Sequence, residues 1–207
     1  MGLKVEGVKP LLRLGSYKPM AFRPWVVDFG HTNVIFFDKR PFKDRDEMDR
    51  VLMVNWNSRM GDDDTVYIVG DLCYRSAYTA DWYLKRLNGH KILILGNHDG
   101  PILKNPEALA LLDGVEKMMD VNDCEKTVTL CHYPIAEWNS YFRGSWHVFG
   151  HIHNSKNESY EFMKKKRHAL NAGCMINNYM PVTFEELIKN NELFRGDGDE
   201  VGRGFVT

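Results

Sequence analysis

Cysteine is scarce in this chain of 207 residues: there are four, Cys73, Cys124, Cys131 and Cys174, and no two are spaced as C-x-x-C. That pattern fits reduced thiols better than a disulfide framework or a zinc knuckle. Any metal ligands should therefore be oxygen and nitrogen. An excess of one charge is also missing: 27 Lys and Arg against 28 Asp and Glu leave a formal charge of −1. No global field recruits nucleic acid or an anionic membrane. No apolar run approaches the ~20 residues that a membrane helix needs, so no membrane partner is expected. The opening "MGLKVEGVKPLLRLGSYKPM" lacks the apolar stretch and small-residue cleavage site of a signal peptide. Gly7 stands where a myristoylation pattern wants Ser or Thr. The expected location is cytoplasmic. Without a linker-like composition or an internal repeat, one domain is expected over residues 1–207. Its core should span about 24–190, with 1–20 and the Gly-rich, charged 195–207 as peripheral segments.

What the chain does have is a set of short apolar runs: "PWVVD" (24–28), "TVYIVGD" (65–71), "KILILGNHD" (91–99), "TVTLCHYP" (127–134) and "HVFGHIH" (147–153). Their continuous apolarity reads as strands covered on both faces. Helical periodicity lies between them, in "DRDEMDRVLMVNWNSRM" (44–60) and "SAYTADWYLKRLNG" (76–89). A third helix, "TFEELIKNNELF" (183–194), opens on Thr183 with Glu186 three residues later, as a capping box does. Strands alternating with helices predict an α/β fold.

Each of the five strands ends on side chains that can bind a metal: Asp28, Asp71, Asn97 with His98 and Asp99, His132, and His151 with His153. Singly, each ending has an ordinary explanation as a turn or a loop histidine. Together, they converge where α/β folds gather their sites, at the carboxyl ends of neighbouring strands. In "GHIH", residues two apart on a strand point to the same side, which would turn both imidazoles to one site.

The order G-D (70–71), G-N-H-D (96–99), H-Y-P (132–134), G-H-I-H (150–153) resembles the calcineurin-like metallophosphoesterase superfamily. The chain is especially similar to its small stand-alone bacterial and phage members, through Phe29-Gly30-His31, Asn33 and Arg40-Pro41-Phe42. "NWN" at 55–57, "HYP…EWN" at 132–139 and "YMPVTFEEL" at 179–187 look alike as well. The resemblance implies a four-layer α/β/β/α sandwich with two mixed β-sheets. It further implies hydrolysis of a small phosphorylated substrate, a phosphomonoester or phosphodiester, by a metal-bound hydroxide. Two divalent ions would serve, Mn²⁺ first, with Fe, Zn²⁺, Ni²⁺ or Co²⁺ as alternatives, since oxygen and imidazole ligands suit all of them. Carried over by residue, one ion would be held by Asp71, Asn97, His132 and His151, and the other by Asp71, Asp28 and His153. His98 would stabilise the transition state or protonate the leaving oxygen, with Asp99 orienting it. Arg40 could reach a substrate phosphate with its guanidinium fork or be a helix-flanking surface arginine, and His31 could contact substrate.

One motif departs. The family has Asp-x-His before Phe-Gly-His, and this chain has "WVVDFGH". An ungapped alignment puts Val26 in place of the Asp, whereas a two-residue deletion keeps Asp28 as the strand-ending carboxylate and loses the His. The second is preferred, because "PWVVD" then ends like its four companions. Either way a ligand of the first ion is missing, and His31 is an open substitute. A degenerate protein that binds metal or a phosphorylated ligand without efficient turnover is the alternative, and a nuclease is a third. The near-neutral charge argues against nucleic acid as a partner without forbidding it. His90, His147 and His168 read as surface or packing residues, and "KKKR" (164–167) as a solvated hairpin tip. Trp56, Trp82 and Trp138 read as core.

Overall fold

The computed structural model describes residues 22–123 and 126–196. The expectations placed on 1–20, on Cys124 and on the segment after 196 lie outside them. Eight strands form two four-stranded sheets. The first contains β1 (Arg23–Trp25), β2 (Thr65–Val69), β3 (His90–Ile94) and β4 (Gly114–Glu116), in that order. The second contains β5 (Met118–Asp123), β6 (Lys126–Cys131), β7 (Trp146–Phe149) and β8 (Ala169–Asn171). All pairings in the first sheet are parallel, which corrects the expectation of two mixed sheets. Only the second is mixed, through the antiparallel pair β5–β6.

The five apolar runs are strands, and the physical reason given for them holds. In β2 every residue is buried. Val66 and Ile68 join one apolar cluster with Leu52 and Trp56, while Tyr67 and Val69 join another with Val128, Leu130 and Val148. Alternate side chains thus enter different cores, so neither face can be polar. The chain after β1 divides in the same way, with Trp25 and Val27 in the first cluster and Val26 in the second. A third cluster, around Trp138, Phe149 and Tyr160, packs against the second sheet.

Six α-helices are described: α1 (Thr32–Phe37), α2 (Arg45–Arg59), α3 (Ala80–Leu84), α4 (Pro106–Ala110), α5 (Glu158–Met163) and α6 (Phe184–Arg195). Asp44 caps α2 by accepting from the Glu47 N–H at 2.8 Å. Both bonds of the predicted capping box open α6, and such a cap contributes about 1 kcal/mol. The segment 76–89 is helical only over α3. The "KKKR" stretch follows α5 and precedes β8, so it is a helix-to-strand loop and not a hairpin tip. Trp56 is fully buried, Trp138 is buried, and Trp82 packs against the first cluster. No helix among the described residues is long and apolar enough to cross a membrane.

Candidate metal centre

Parallel pairing brings the carboxyl ends of β1, β2 and β3 to one edge of the first sheet. The chain keeps pairing beyond them: the Asp28 N–H donates to the Asp71 carbonyl at 3.0 Å. The second sheet does the same for β6 and β7, where the Gly150 N–H donates to the His132 carbonyl at 2.9 Å. The strand-ending side chains gather in two groups that share Asp71.

In the first group, ligand atoms of Asp28, Asp71 and His153 all lie within 4.8 Å of one another. Nε2 of His153 is 3.9 Å from Oδ1 of Asp28. His153 Nδ1 donates to Asp38 Oδ2 at 2.8 Å, so its tautomer is set and Nε2 is left for the centre. Burial works against charge on His153, but the Asp38 bond and the charges of Asp28 and Asp38 outweigh it and raise its pKa. Asp38 responds in the opposite direction. Burial opposes its charge, yet His153 and Arg40 hold its carboxyl below the usual range.

The second group is a chain of short contacts. Asp71 Oδ2 lies 3.3 Å from His132 Nε2, which lies 3.0 Å from Asn97 Oδ1, itself 2.9 Å from His151 Nδ1. His132 Nδ1 donates to the Val69 carbonyl at 2.9 Å, again leaving Nε2 to the centre. Burial lowers the pKa of His151, helped by His132, which keeps this imidazole neutral with a lone pair to offer. Asp71 accepts the His98 N–H at 2.9 Å on its other oxygen.

Several motif residues hold uncommon backbone. Asp28, Asp71, His151 and His153 have φ of 62, 53, 49 and 53°, all in the left-handed region. Four such residues at one centre, none of them glycine, are a concentration of strain of the kind that functional sites carry. This corrects the expectation for "GHIH". β7 ends at Phe149, and the two imidazoles enter the centre from left-handed turn residues, not by strand alternation. The motif glycines follow from the crowding. A Cβ on Gly70, whose φ is +85°, would lie 2.1 Å from Nδ1 of His132, and one on Gly96 would lie 2.3 Å from Oδ1 of Asp71.

Two expected roles change. Arg40 has a fully buried side chain and does not face substrate. Its guanidinium meets Asp28 Oδ2 at 2.8 Å, Asp38 Oδ2 at 3.0 Å and the Val27 carbonyl at 3.2 Å. Asp99 does not orient the His98 imidazole. Its two oxygens accept the backbone N–H groups of Gly96, Asp71 and Leu72 at 2.7–2.9 Å, tying the turn after β2 to the loop after β3. Burial still pushes its pKa up.

His98 is half-buried and packs its ring on Tyr74, with centroids 3.8 Å apart. His31 sits edge-on to Tyr74 and 5.9 Å from His98, outside the Asp28–Asp71–His153 cluster. Its pKa is lowered by burial. Val26 is packed in the second apolar cluster, so Asp28 is the residue of this segment that reaches the centre. Asp38 was missed by sequence reasoning. Its available signal was an acid at the end of an unpredicted helix, two residues before Arg40.

The donor set fits divalent cations. Asp28, Asp38 and Asp71 are all at least 93% buried, beside the buried guanidinium of Arg40 and the imidazoles of His132 and His153, whose pKa values these carboxylates raise. Oδ1 of Asp28 is buried without a hydrogen-bond partner. A buried carboxylate oxygen in that state is costly unless a cation meets it. Burial pushes the thiols of Cys73 and Cys174 up to about 12, so neither offers a thiolate.

No family model matches the chain. It is 33% identical over 165 residues to the uncharacterized protein MJ1445 of Methanocaldococcus jannaschii, across 78% of this chain and 85% of that protein. It is 42% identical over 73 residues to the Gene 66 protein of Mycobacterium phage L5, across 33% of this chain and 35% of that one. Among solved structures, it superposes on AQ665 from Aquifex aeolicus, a protein of unknown function, with a TM-score of 0.63. That match covers 81% of this chain and 97% of the other at 24% identity, which shows a shared fold.

Proposed function

The chain belongs to the family of MJ1445 from Methanocaldococcus jannaschii, and we propose that it is a phosphoesterase that works with two divalent cations. The observation that carries the proposal is the sharing of Asp71 between two groups of oxygen and nitrogen donors, in a centre with three buried carboxylates. Asp28, Asp71 and His153 would hold one cation. Asp71, Asn97, His132 and His151 would hold the other. Bound there, such ions would supply Lewis acidity to water and to phosphoryl oxygens. Mn²⁺, Fe, Zn²⁺, Ni²⁺ and Co²⁺ all suit such oxygen and imidazole donors.

The remaining roles belong to the chain's own side chains. His98 is anchored by its backbone N–H on Asp71 and by its ring on Tyr74. It stands beside both donor groups without joining either, where an imidazole can protonate a leaving oxygen. Asp99 and Arg40 hold the frame: one fixes the Asp71 turn, and the other neutralises and aligns Asp28. The three apolar clusters support a four-layer α/β/β/α sandwich of the metallophosphoesterase kind. One cluster joins side chains of both sheets, and each of the other two packs on an outer face.

The test is a panel of phosphomonoesters and phosphodiesters, run on chelator-stripped protein with Mn²⁺, Ni²⁺, Zn²⁺ and Mg²⁺ separately. Hydrolysis should require added metal. In ¹⁸O-water, label should enter the phosphate within one turnover, and trapping a phosphorylated side chain would overturn the mechanism. One observation favours a second reading, a protein that binds phosphorylated ligands without turnover. The first donor group has three side chains, and His31 does not complete it. Metal binding with no hydrolysis across the panel would select that reading.

A further inference from the structure

Beside the candidate centre lies a cleft of about 410 Å³, which reaches His98 and is walled by Tyr74, Arg75, Tyr78, Pro101 and Ile102. That volume is in the range of small-molecule sites. Its aromatic walls are already fixed. Tyr74 is braced on one face by His98 at 3.8 Å and edge-on by His31 at 4.8 Å. Tyr78 stacks on Trp82 with centroids 4.0 Å apart and planes 12° from parallel, and Arg86 covers Trp82 at 3.8 Å. Tyr78 nevertheless stays 45% exposed. An aromatic ring held flat by neighbours and still open to solvent is prepared for a second flat partner.

Two polar side chains of the cleft are committed elsewhere. The Ser76 hydroxyl is bonded to the Tyr83 hydroxyl and accepts the Tyr78 N–H. The Asn105 amide donates to Asp81, and its oxygen accepts the Ala108 N–H. Arg75 is the charged residue of the wall. It is exposed, its guanidinium lies 5.1 Å from the Tyr74 ring centroid, and no carboxylate pairs with it among the described residues. Its φ of 47° adds backbone strain at the rim.

We infer that this cleft receives the leaving group of the substrate, and that the group is a planar aromatic ring stacked on the open face of Tyr78, beside Tyr74 and Arg75. The inference rests on the phosphoesterase reading, because the cleft is lined by His98, the group assigned there to the leaving oxygen. It adds the substrate class: phosphoesters of aryl or heteroaryl alcohols.

The experiment is calorimetric titration of the full chain, supplied with Mn²⁺, with phenylphosphonate and with methylphosphonate. Both keep the anionic head and neither can be hydrolysed, so the readout is binding and not turnover. Phenylphosphonate should bind about tenfold tighter, the size of a favourable aromatic contact. Tyr78→Ala should shrink the preference below about threefold and leave methylphosphonate affinity nearly unchanged. Tyr78 is 45% exposed, so this variant should fold. Equal binding of the two probes, or a preference that survives in Tyr78→Ala, overturns the cleft assignment while the phosphoesterase reading stands. Binding of neither probe overturns both.

Discussion

Oδ2 of Asp38 accepts a hydrogen bond from Nδ1 of His153 at 2.8 Å, across 115 positions of sequence. The same oxygen takes Nε of Arg40 at 3.1 Å and its terminal nitrogen at 3.0 Å. One carboxylate therefore orients the imidazole that faces Asp28 and the guanidinium that pairs with Asp28. A metal-ligating histidine commonly has such a partner, and losing it weakens metal binding by roughly 10–100-fold. On the two-cation proposal, Asp38→Asn should lower Mn²⁺ affinity at the Asp28–Asp71–His153 site by that order. Affinity at the site containing Asn97, His132 and His151 should be unaffected. Two-site titration followed by electron paramagnetic resonance reads both. Equal weakening of both sites would count against the division drawn here.

Arg40 should matter to folding more than to substrate. Its removal leaves Asp28 and Asp38 buried without their cation, and breaking a buried pair in this way costs about 3–5 kcal/mol. Arg40→Met in metal-free protein should show that loss in urea unfolding at neutral pH. Unchanged stability with a raised KM would restore the substrate-contact role that the sequence suggested.

His98→Asn should lower kcat by roughly 10²–10⁴-fold, as expected for a lost acid or charge-stabilising group. Bound metal should not change, because the His98 imidazole lies against Tyr74 and only its backbone N–H touches Asp71. Metal analysis beside steady-state kinetics separates the outcomes. Parallel loss of metal and activity would make His98 a ligand.

His147 carries a pH prediction away from the centre. Burial pushes its pKa down to about 4, and its nitrogens meet the Thr129 carbonyl at 3.0 Å and the Ile135 N–H at 3.4 Å. The unfolded chain binds this proton below pH ~6.5, and the folded chain does so only near 4, so between these values the unfolded state holds more protons. Stability from this group is therefore fully present above pH ~6.5 and lost as pH falls towards 4, by about 3 kcal/mol in all. His147→Gln should flatten the stability profile over that window relative to the parent chain. Identical slopes in chemical denaturation at pH 4.5, 5.5 and 6.5 would refute the assignment.

The sheet and most of the candidate centre were legible because their signals are local. A strand covered on both faces must be apolar at successive positions, and "TVYIVGD" is such a run ending on a ligand. The capping box of α6 is equally local, since Thr183 and Glu186 are three residues apart. Short elements such as α1, α4, β4 and β8 were not legible. Three to six residues carry too little periodicity to outweigh their surroundings.

By itself, the sequence determined which side chains end the strands, and with them the oxygen and nitrogen chemistry of the centre. Tertiary structure decided what each of those side chains faces. Asp99 sits in the most recognisable motif, yet its carboxylate turned to three amides, two of them from the turn after β2. Arg40 resembled an anion-binding residue until Asp28 and Asp38 closed around it. His151 and His153 required left-handed backbone to point inward, which a strand reading could not supply. The cause is the same in each case. Residue type and spacing set what a group can bond, whereas its partner is whichever group the folded chain brings within about 3 Å in a place that water cannot reach.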